Sequence, residues 1–433
     1  MSLAAIKIEL EDWLRYNSLV RGVLAEWKML RAGGVADEPQ ALARRINRLC
    51  AAARLAANPA QIRRIEARIL QAVKLLGDRR IDWREFEPSA EKKVLENAAV
   101  LKPWVSEREK GVVYLSFEYQ WPRLLQNCDV TEFARRYEVV LAPVWVSPYG
   151  LVNYLLPAQW PGPVFSHLSD PNDAAILPRM APNYVVVPLL CSSWVNPDWY
   201  EPVPFEKKDI DIFMLANFGK YKRHFLLFKA LRRLPRSTRV LLIGQHNAGR
   251  TRETLMAEAR AYGVEGRFEL EENATDSEVF SAFARAKTSL ILSRREGSCI
   301  AVVESIMANT PVGLLANAEV GSRIFINEQT GRFLQEKNLA EQLADFIANA
   351  GKYSPRQWAL ANNIHCRGSS AILNEIIKRT VLAGGGQWTQ DIAPFQWRPA
   401  PVPIKAEDKA RLQAERREIY ERFGIQIGRE PLK

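Results

Sequence analysis

Long apolar runs are missing from this chain. Nowhere in its 433 residues do eighteen apolar residues follow one another, so no helix of bilayer-spanning length is predicted. Cysteine is scarce and scattered. The five (Cys50, Cys128, Cys191, Cys299 and Cys366) have neither the paired spacing of a disulfide framework nor the close spacing of a metal site, which predicts a reducing, cytoplasmic setting. The N-terminal stretch has no apolar signal-peptide core and carries Glu9 and Glu11, consistent with that setting. A phosphate loop of the G-x4-G-K-[ST] type is absent, and no His/Cys/Asp/Glu cluster has ligand spacing. Acid is in deficit: 49 Asp and Glu face 60 Lys and Arg, a net charge of +11. A basic surface is either simply solvated or attracts anionic lipid and phosphorylated substrates. The arginines are dispersed and no nucleic-acid-binding motif occurs, so nucleic acid is not the expected partner.

What is present is a chain long enough for two or three domains with substantial cores. Residues 1–105 read as a helical extension. Apolar residues at helical spacing run from Ile6 to Leu30, broken at Arg31–Gly34, and Leu42–Ala57 and Gln61–Leu76 follow as amphipathic helices. Their apolar faces are expected to pack in a core, with a membrane surface as the alternative. From Gly111 the period changes. Val112–Phe117, Val139–Trp145, Pro163–Ser166 and Tyr184–Val187 are predicted strands of a first α/β domain, residues 106–205. A second α/β domain, residues 206–380, has predicted strands at Ile210–Leu215, Arg239–Ile243, Arg267–Leu270, Thr288–Leu292 and Val312–Leu315 with helices between, the pattern of a doubly wound parallel sheet. Residues 381–433 form a linker and a charged C-terminal helix, Lys405–Phe423.

The chemistry-bearing stretch is Arg295-Glu296-Gly297-Ser298-Cys299-Ile300, leading to Glu304. Glu296 follows an apolar strand and Glu304 lies within an apolar helix, roughly 7 Å up from its start. Strand, tight turn and helix together present backbone amides to an anion. Gly297 permits close approach of a ligand, and the amides of Ser298, Cys299 and Ile300 can face a diphosphate. A carboxylate at Glu304 can accept from both hydroxyls of a ribose. One at Glu296 can stabilise positive charge on a reacting sugar.

This segment resembles the E-x7-E element of retaining glycosyltransferases of the group-1, family-4 type. Ser293-Arg294-Arg295-Glu296-Gly297 is similar to that family's S-x-x-E-G, Glu304 to Val312 resembles its E-A-M-A-x-G-x-P-V, and Gly331 resembles the following T-G. The resemblance implies the GT-B fold: two Rossmann-like lobes, the first for the acceptor and the second for the nucleotide-sugar donor, of UDP or GDP type. It implies retention at the sugar without a metal or other cofactor, and a glycan or lipid-linked acceptor; the +11 charge and the Ile6–Leu30 segment separately point to peripheral contact at a membrane. Lys222, eight residues before Ala230, falls where the family's phosphate-neutralising lysine stands. His167 resembles a histidine lining the donor-sugar side. The chain departs from the pattern in three places: Asn217 replaces an arginine, for which Lys220 or Arg223 could substitute; Gly-Ser-Cys replaces Gly-Phe-Gly; and Arg323 stands where glutamate is usual. Asp209-Ile210-Asp211 mimics a metal-binding D-x-D and reads as the polar start of a strand. The departures keep a second reading open, a nucleotide-sugar- or glycan-binding protein that has lost turnover.

Overall fold

The computed structural model describes residues 2–33, 37–144, 147–398 and 400–431. Two compact units divide the chain, one of residues 14–191 with 366–433, the other of residues 1–13 with 192–365. Linear boundaries at 105, 205 and 380 do not draw this division, because each unit is assembled from two separate stretches.

Four helices lead: α1 (Leu3–Tyr16), α2 (Ser18–Arg31), α3 (Pro39–Ala53) and α4 (Pro59–Leu76). The apolar period predicted uninterrupted helix from Ile6 to Leu30, but the chain breaks at Asn17. Its backbone is extended, and its side-chain oxygen accepts from the amides of Leu19 and Val20 at 3.0 and 3.1 Å. A short polar side chain that caps a new helix outcompetes continuation of the old one. The predicted break at Arg31–Gly34 falls where α2 ends, at Arg31; Gly34 itself lies outside the described residues. Glu38 and Asn58 cap α3 and α4, each followed by proline at the first helical position. The inner faces of α3 (Leu42, Ile46, Leu49) and α4 (Ile65, Ile69, Leu76) are buried, whereas Leu3, Ile6, Leu10 and Trp13 on α1 and Leu19, Val23, Trp27 and Leu30 on α2 are exposed.

In the first unit β1 (Ala98–Lys102), β2 (Gly111–Ser116), β3 (Tyr137–Ala142), β4 (Val164–Leu168) and β5 (Tyr184–Leu190) lie side by side in chain order. β1 is antiparallel to β2, and the rest are parallel. The four predicted strands correspond to β2 through β5; Trp145, the predicted end of the second, lies outside the described residues. β1 is a correction to the helical reading of residues 1–105. Five wholly buried residues in a row carry no period by which strand and helix can be told apart.

In the second unit all six strands are parallel: β6 (Ile210–Leu215), β7 (Val240–Gly244), β8 (Glu269–Glu272), β9 (Ala286–Ile291), β10 (Val312–Leu315) and β11 (Gly331–Leu334). Their order across the sheet is β11-β10-β9-β6-β7-β8. The chain therefore winds outward from β6 in one direction, then returns to its other side with β9. Helices α5 (His224–Leu231), α6 (Arg252–Tyr262) and α7 (Ile300–Met307) follow β6, β7 and β9. β11 was not predicted, since Arg332 and the half-exposed Phe333 interrupt its apolar pattern.

The C-terminal stretch returns to the first unit through α8 (Cys366–Ala383) and α9 (Ala406–Phe423). α9 packs on β3 and its preceding helix: the Tyr137 hydroxyl donates to Glu415, and the rings of Phe133 and Phe423 lie 5.0 Å apart.

Gly331 opens β11 against β10 so closely that a Cβ there would stand 2.1 Å from the Val312 carbonyl oxygen and 2.8 Å from its nitrogen. Backbone cannot yield as a flexible side chain can. Gly331→Ala should cost about 1–3 kcal/mol, the scale of overpacking, seen as a lower urea midpoint; an unchanged midpoint would mean that the edge strand moves freely.

Candidate active site

In an open parallel sheet, ligands bind outside the carboxyl ends of the strands where the winding direction reverses, because two loops diverge there and leave a crevice. Here that point lies between β6 and β9. The loop after β6 is Ala216–Arg223 and the loop after β9 is Leu292–Cys299. They bring Lys222 and Glu296 together: the Lys222 Nζ donates to Glu296 Oε1 at 2.6 Å, with side-chain exposures of 13% and 10%. The Ser293 hydroxyl donates to the same carboxylate oxygen.

The turn into α7 is held from several sides. Arg295–Glu296 pairs in parallel with Glu319–Val320, and the Gly321 amide donates to the Gly297 carbonyl at 2.9 Å. The Ser298 Oγ accepts from the Ser192 amide at 2.7 Å and donates to the Ser192 hydroxyl at 3.0 Å. Cys299 sits at φ 42, ψ 80, and α7 has no side-chain cap. A left-handed conformation is disfavoured for a side chain with a Cβ. Cys299 therefore keeps the backbone that the second glycine of Gly-Phe-Gly would supply, and the first amides of α7, beginning with Ile300, meet no capping oxygen. Behind the far end of α7, the buried Lys208 donates to the Ala286 carbonyl and Thr310 hydroxyl at 2.8 Å each. Burial pulls its pKa down to about 8.

Glu304 is 1% exposed on α7, and the Tyr200 hydroxyl donates to its Oε1 at 3.1 Å. Tyr200 was not singled out in the sequence; its contact spans 104 positions and nothing local announces it. The sequence likewise gave no sign of Ser293 or Ser192 as partners. Arg223 follows Lys222, but its guanidinium is turned into carboxylates of Asp12 and Glu336. Lys220 pairs with Glu11 at 2.6 Å. Asn217 accepts from the Gly219 amide at 3.0 Å and donates to the Tyr221 hydroxyl at 2.7 Å, so it braces its own loop. Arg323 donates to the Ala318 carbonyl at 3.1 Å. Asp209 is forked by Arg285 and Asp211 is paired with Lys287 at 2.7 Å. His167 belongs to the first unit, at the end of β4, wholly buried with its pKa pushed down to about 3 by that burial. It is neutral at neutral pH.

Burial alone would raise the Glu296 carboxyl. The Lys222 charge, with hydrogen bonds from Lys222, Ser293 and Cys299, outweighs burial and holds it below the ordinary range. For Lys222 the balance is reversed: burial lowers it, and Glu296 more than restores it. The Cys299 thiol is raised by burial and then by the adjoining Glu296, which keeps it protonated and makes it a poor nucleophile.

A carboxyl depressed in the folded state contributes stability above its unfolded pKa, and the contribution is lost as pH falls through the folded value. With Lys222 gone, burial governs and the carboxyl is raised instead. Its neutral form is then favoured, and stability is lost as pH rises. Urea melts of the wild type and Lys222→Met should therefore diverge progressively from about pH 4 to 7. Parallel curves would show that the two groups do not share this coupling.

Residues 196–364 match the family model for glycosyl transferases, group 1. No curated protein matches the chain. Among solved structures, a sucrose-phosphate synthase from Thermosynechococcus elongatus is 14% identical, covers 63% of this chain and 74% of its own, and superposes with a TM-score of 0.50. The Anabaena protein HepE in complex with UDP is 14% identical, with coverages of 64% and 79% and a TM-score of 0.49. A glycosyltransferase from Rickettsia africae is 15% identical, with coverages of 62% and 76% and a TM-score of 0.47. At such identities the likeness is one of fold. The two α/β units have the GT-B fold, and over residues 196–364 the chain is similar to the group 1 glycosyl transferases.

Proposed function

We propose that the protein transfers a hexose-type sugar from a nucleoside-diphosphate sugar, of UDP or GDP type, to a glycan or glycolipid hydroxyl, with retention and without a metal. The observation that carries this reading is the Lys222–Glu296 pair at the switch point of the second sheet, beside the uncapped start of α7. A cation and the amides of a helix start without a side-chain cap suit a diphosphate. A carboxylate within reach of the same point suits positive charge on the anomeric carbon. Glu304, farther along α7, is the ribose acceptor in this scheme, with Tyr200 holding one of its oxygens. The bond between the anomeric carbon and the phosphate oxygen breaks, and the acceptor oxygen bonds to the same face. The acceptor's proton passes to the departing phosphate, whose charge Lys222 and the α7 amides stabilise. The acceptor belongs to the first unit in this reading, and His167, a neutral ring of that unit, lines the donor-sugar side.

Interactions stronger in the transition state than in the ground state lower kcat when removed. Glu296→Ala should reduce kcat about a hundredfold or more while nucleotide binding changes little. Lys222→Ala should weaken both, because the diphosphate is charged before and after transfer. Donor hydrolysis or transfer in EDTA, alongside circular dichroism, measures this. Two folded variants with wild-type turnover would place the chemistry elsewhere, and loss of wild-type activity in EDTA would remove the metal-free scheme.

The exposed apolar residues of α1 and α2, with Trp13 and Trp27 among them, and the +11 charge support peripheral contact with a membrane carrying the acceptor. Each basic residue near an anionic surface contributes about 1 kcal/mol. Co-sedimentation should rise with the anionic lipid content of vesicles and fall with salt; equal binding to neutral vesicles, or none, would contradict it.

A further inference from the structure

Arg223 is a closely held cation of the second unit. Its side chain is 2% exposed and lies between two carboxylates. Nε and Nη2 donate to Asp12 Oδ1 and Oδ2 at 3.1 and 2.8 Å. Nη1 and Nη2 donate to Glu336 Oε1 and Oε2 at 2.9 Å each. Two planar forks of this kind fix orientation as well as charge. Glu336 is itself held by Asn317 at 3.0 Å. It follows β11 in the sheet, whereas Asp12 comes from α1, 211 positions away in the chain. Two more acids of α1 serve the same region: Glu11 pairs with Lys220 and Glu9 with Lys229, at 2.6 and 2.9 Å.

The backbone of Arg223 is left-handed, at φ 55, ψ 42. A residue with a large side chain persists there only where its surroundings over-determine it. The consequence falls on its neighbour. The turn Gly219–Arg223 closes through the Lys222 and Arg223 amides on the Gly219 and Lys220 carbonyls, at 3.0 and 3.1 Å. The left-handed step at Arg223 then starts α5, leaving Lys222 directed at Glu296.

We propose that Asp12 is a positioning residue for transfer. Through Arg223 it locks the turn that aims Lys222, so that the N-terminal helix completes the donor site although it touches no substrate. The role in transfer rests on the glycosyltransferase reading above. The clamp itself does not.

The test compares full-length wild type with Asp12→Asn and Asp12→Glu, well below their melting temperatures. Amide hydrogen exchange in Gly219–Arg223 and steady-state donor turnover are both measured. Asp12→Asn should exchange faster in that turn and lose about ten- to a hundredfold in kcat, the scale of a misplaced catalytic group, with the donor KM within about twofold. Asp12→Glu should recover most of both. Glu9→Gln loosens the same helix at Lys229 but not the turn, and should leave both readouts unchanged. Should Asp12→Asn not fold, Glu336→Gln opens the second fork and is read the same way. Unchanged exchange in the turn overturns the proposal, as does faster exchange with wild-type kcat. Absence of turnover in the wild type would instead overturn the glycosyltransferase reading, and the exchange data would then decide the clamp alone.

Discussion

The second unit depends on a constraint of sheet winding. β6 and β9 are neighbours, parallel, and reached from opposite directions of travel across the sheet. Two loops therefore leave the same edge and part, and whatever they carry is brought together without further folding. Among the side chains they carry are the Lys222 cation and the Glu296 carboxylate. Lys222 and Glu296 are both largely removed from water, and each would be costly without the other. The pair therefore registers one loop against the other. It also places charges of both signs at one point, the arrangement on which the proposed function rests.

Around that pair the loop after β6 is close to electrically balanced. Lys220, Arg223 and Lys229 are matched by Glu11, by Asp12 with Glu336, and by Glu9. The cations flanking Lys222 thus have carboxylate partners of their own. In the proposed function, recognition of a diphosphate then rests on geometry, namely the direction of Lys222 and the amides at the start of α7. Geometry of that kind must be held rigidly. The acids of α1 and the ties at Ser192, Gly321 and Lys208 hold it from different sides of the unit.

The sequence announced what is local. A strand, a turn with glycine, and an apolar helix carrying a carboxylate can be read from their own residues. β9, α7, Glu296 and Glu304 were legible for that reason, and the count back from Ala230 was enough to find Lys222. What it did not announce is settled across the chain. Arg223 was a candidate to substitute for the family's arginine, yet its partners are at positions 12 and 336. Tyr200 reaches Glu304 over 104 positions. β1 and β11 escaped notice because a wholly buried strand has no alternation and an edge strand with exposed residues has a diluted one. The break at Asn17 was lost for the opposite reason, since a single cap overruled a long and regular period.

Cys299 shows how a departure from a motif can preserve its geometry. Replacing a glycine at the start of α7 ought to forbid a left-handed turn, yet Cys299 adopts one. Its surroundings impose this. The Ser322 hydroxyl donates to its carbonyl at 3.2 Å, the Val302 amide donates to the same oxygen at 3.2 Å, and Ser298 before it is tied to Ser192. The thiol adjoins the Glu296 carboxylate, whose charge helps to keep it protonated. The strain of the turn is therefore offset by hydrogen bonds on the backbone to either side of it. Ties from distant parts of the unit thus replace the conformational freedom that glycine would bring, and the turn into α7 keeps its form beside Glu296.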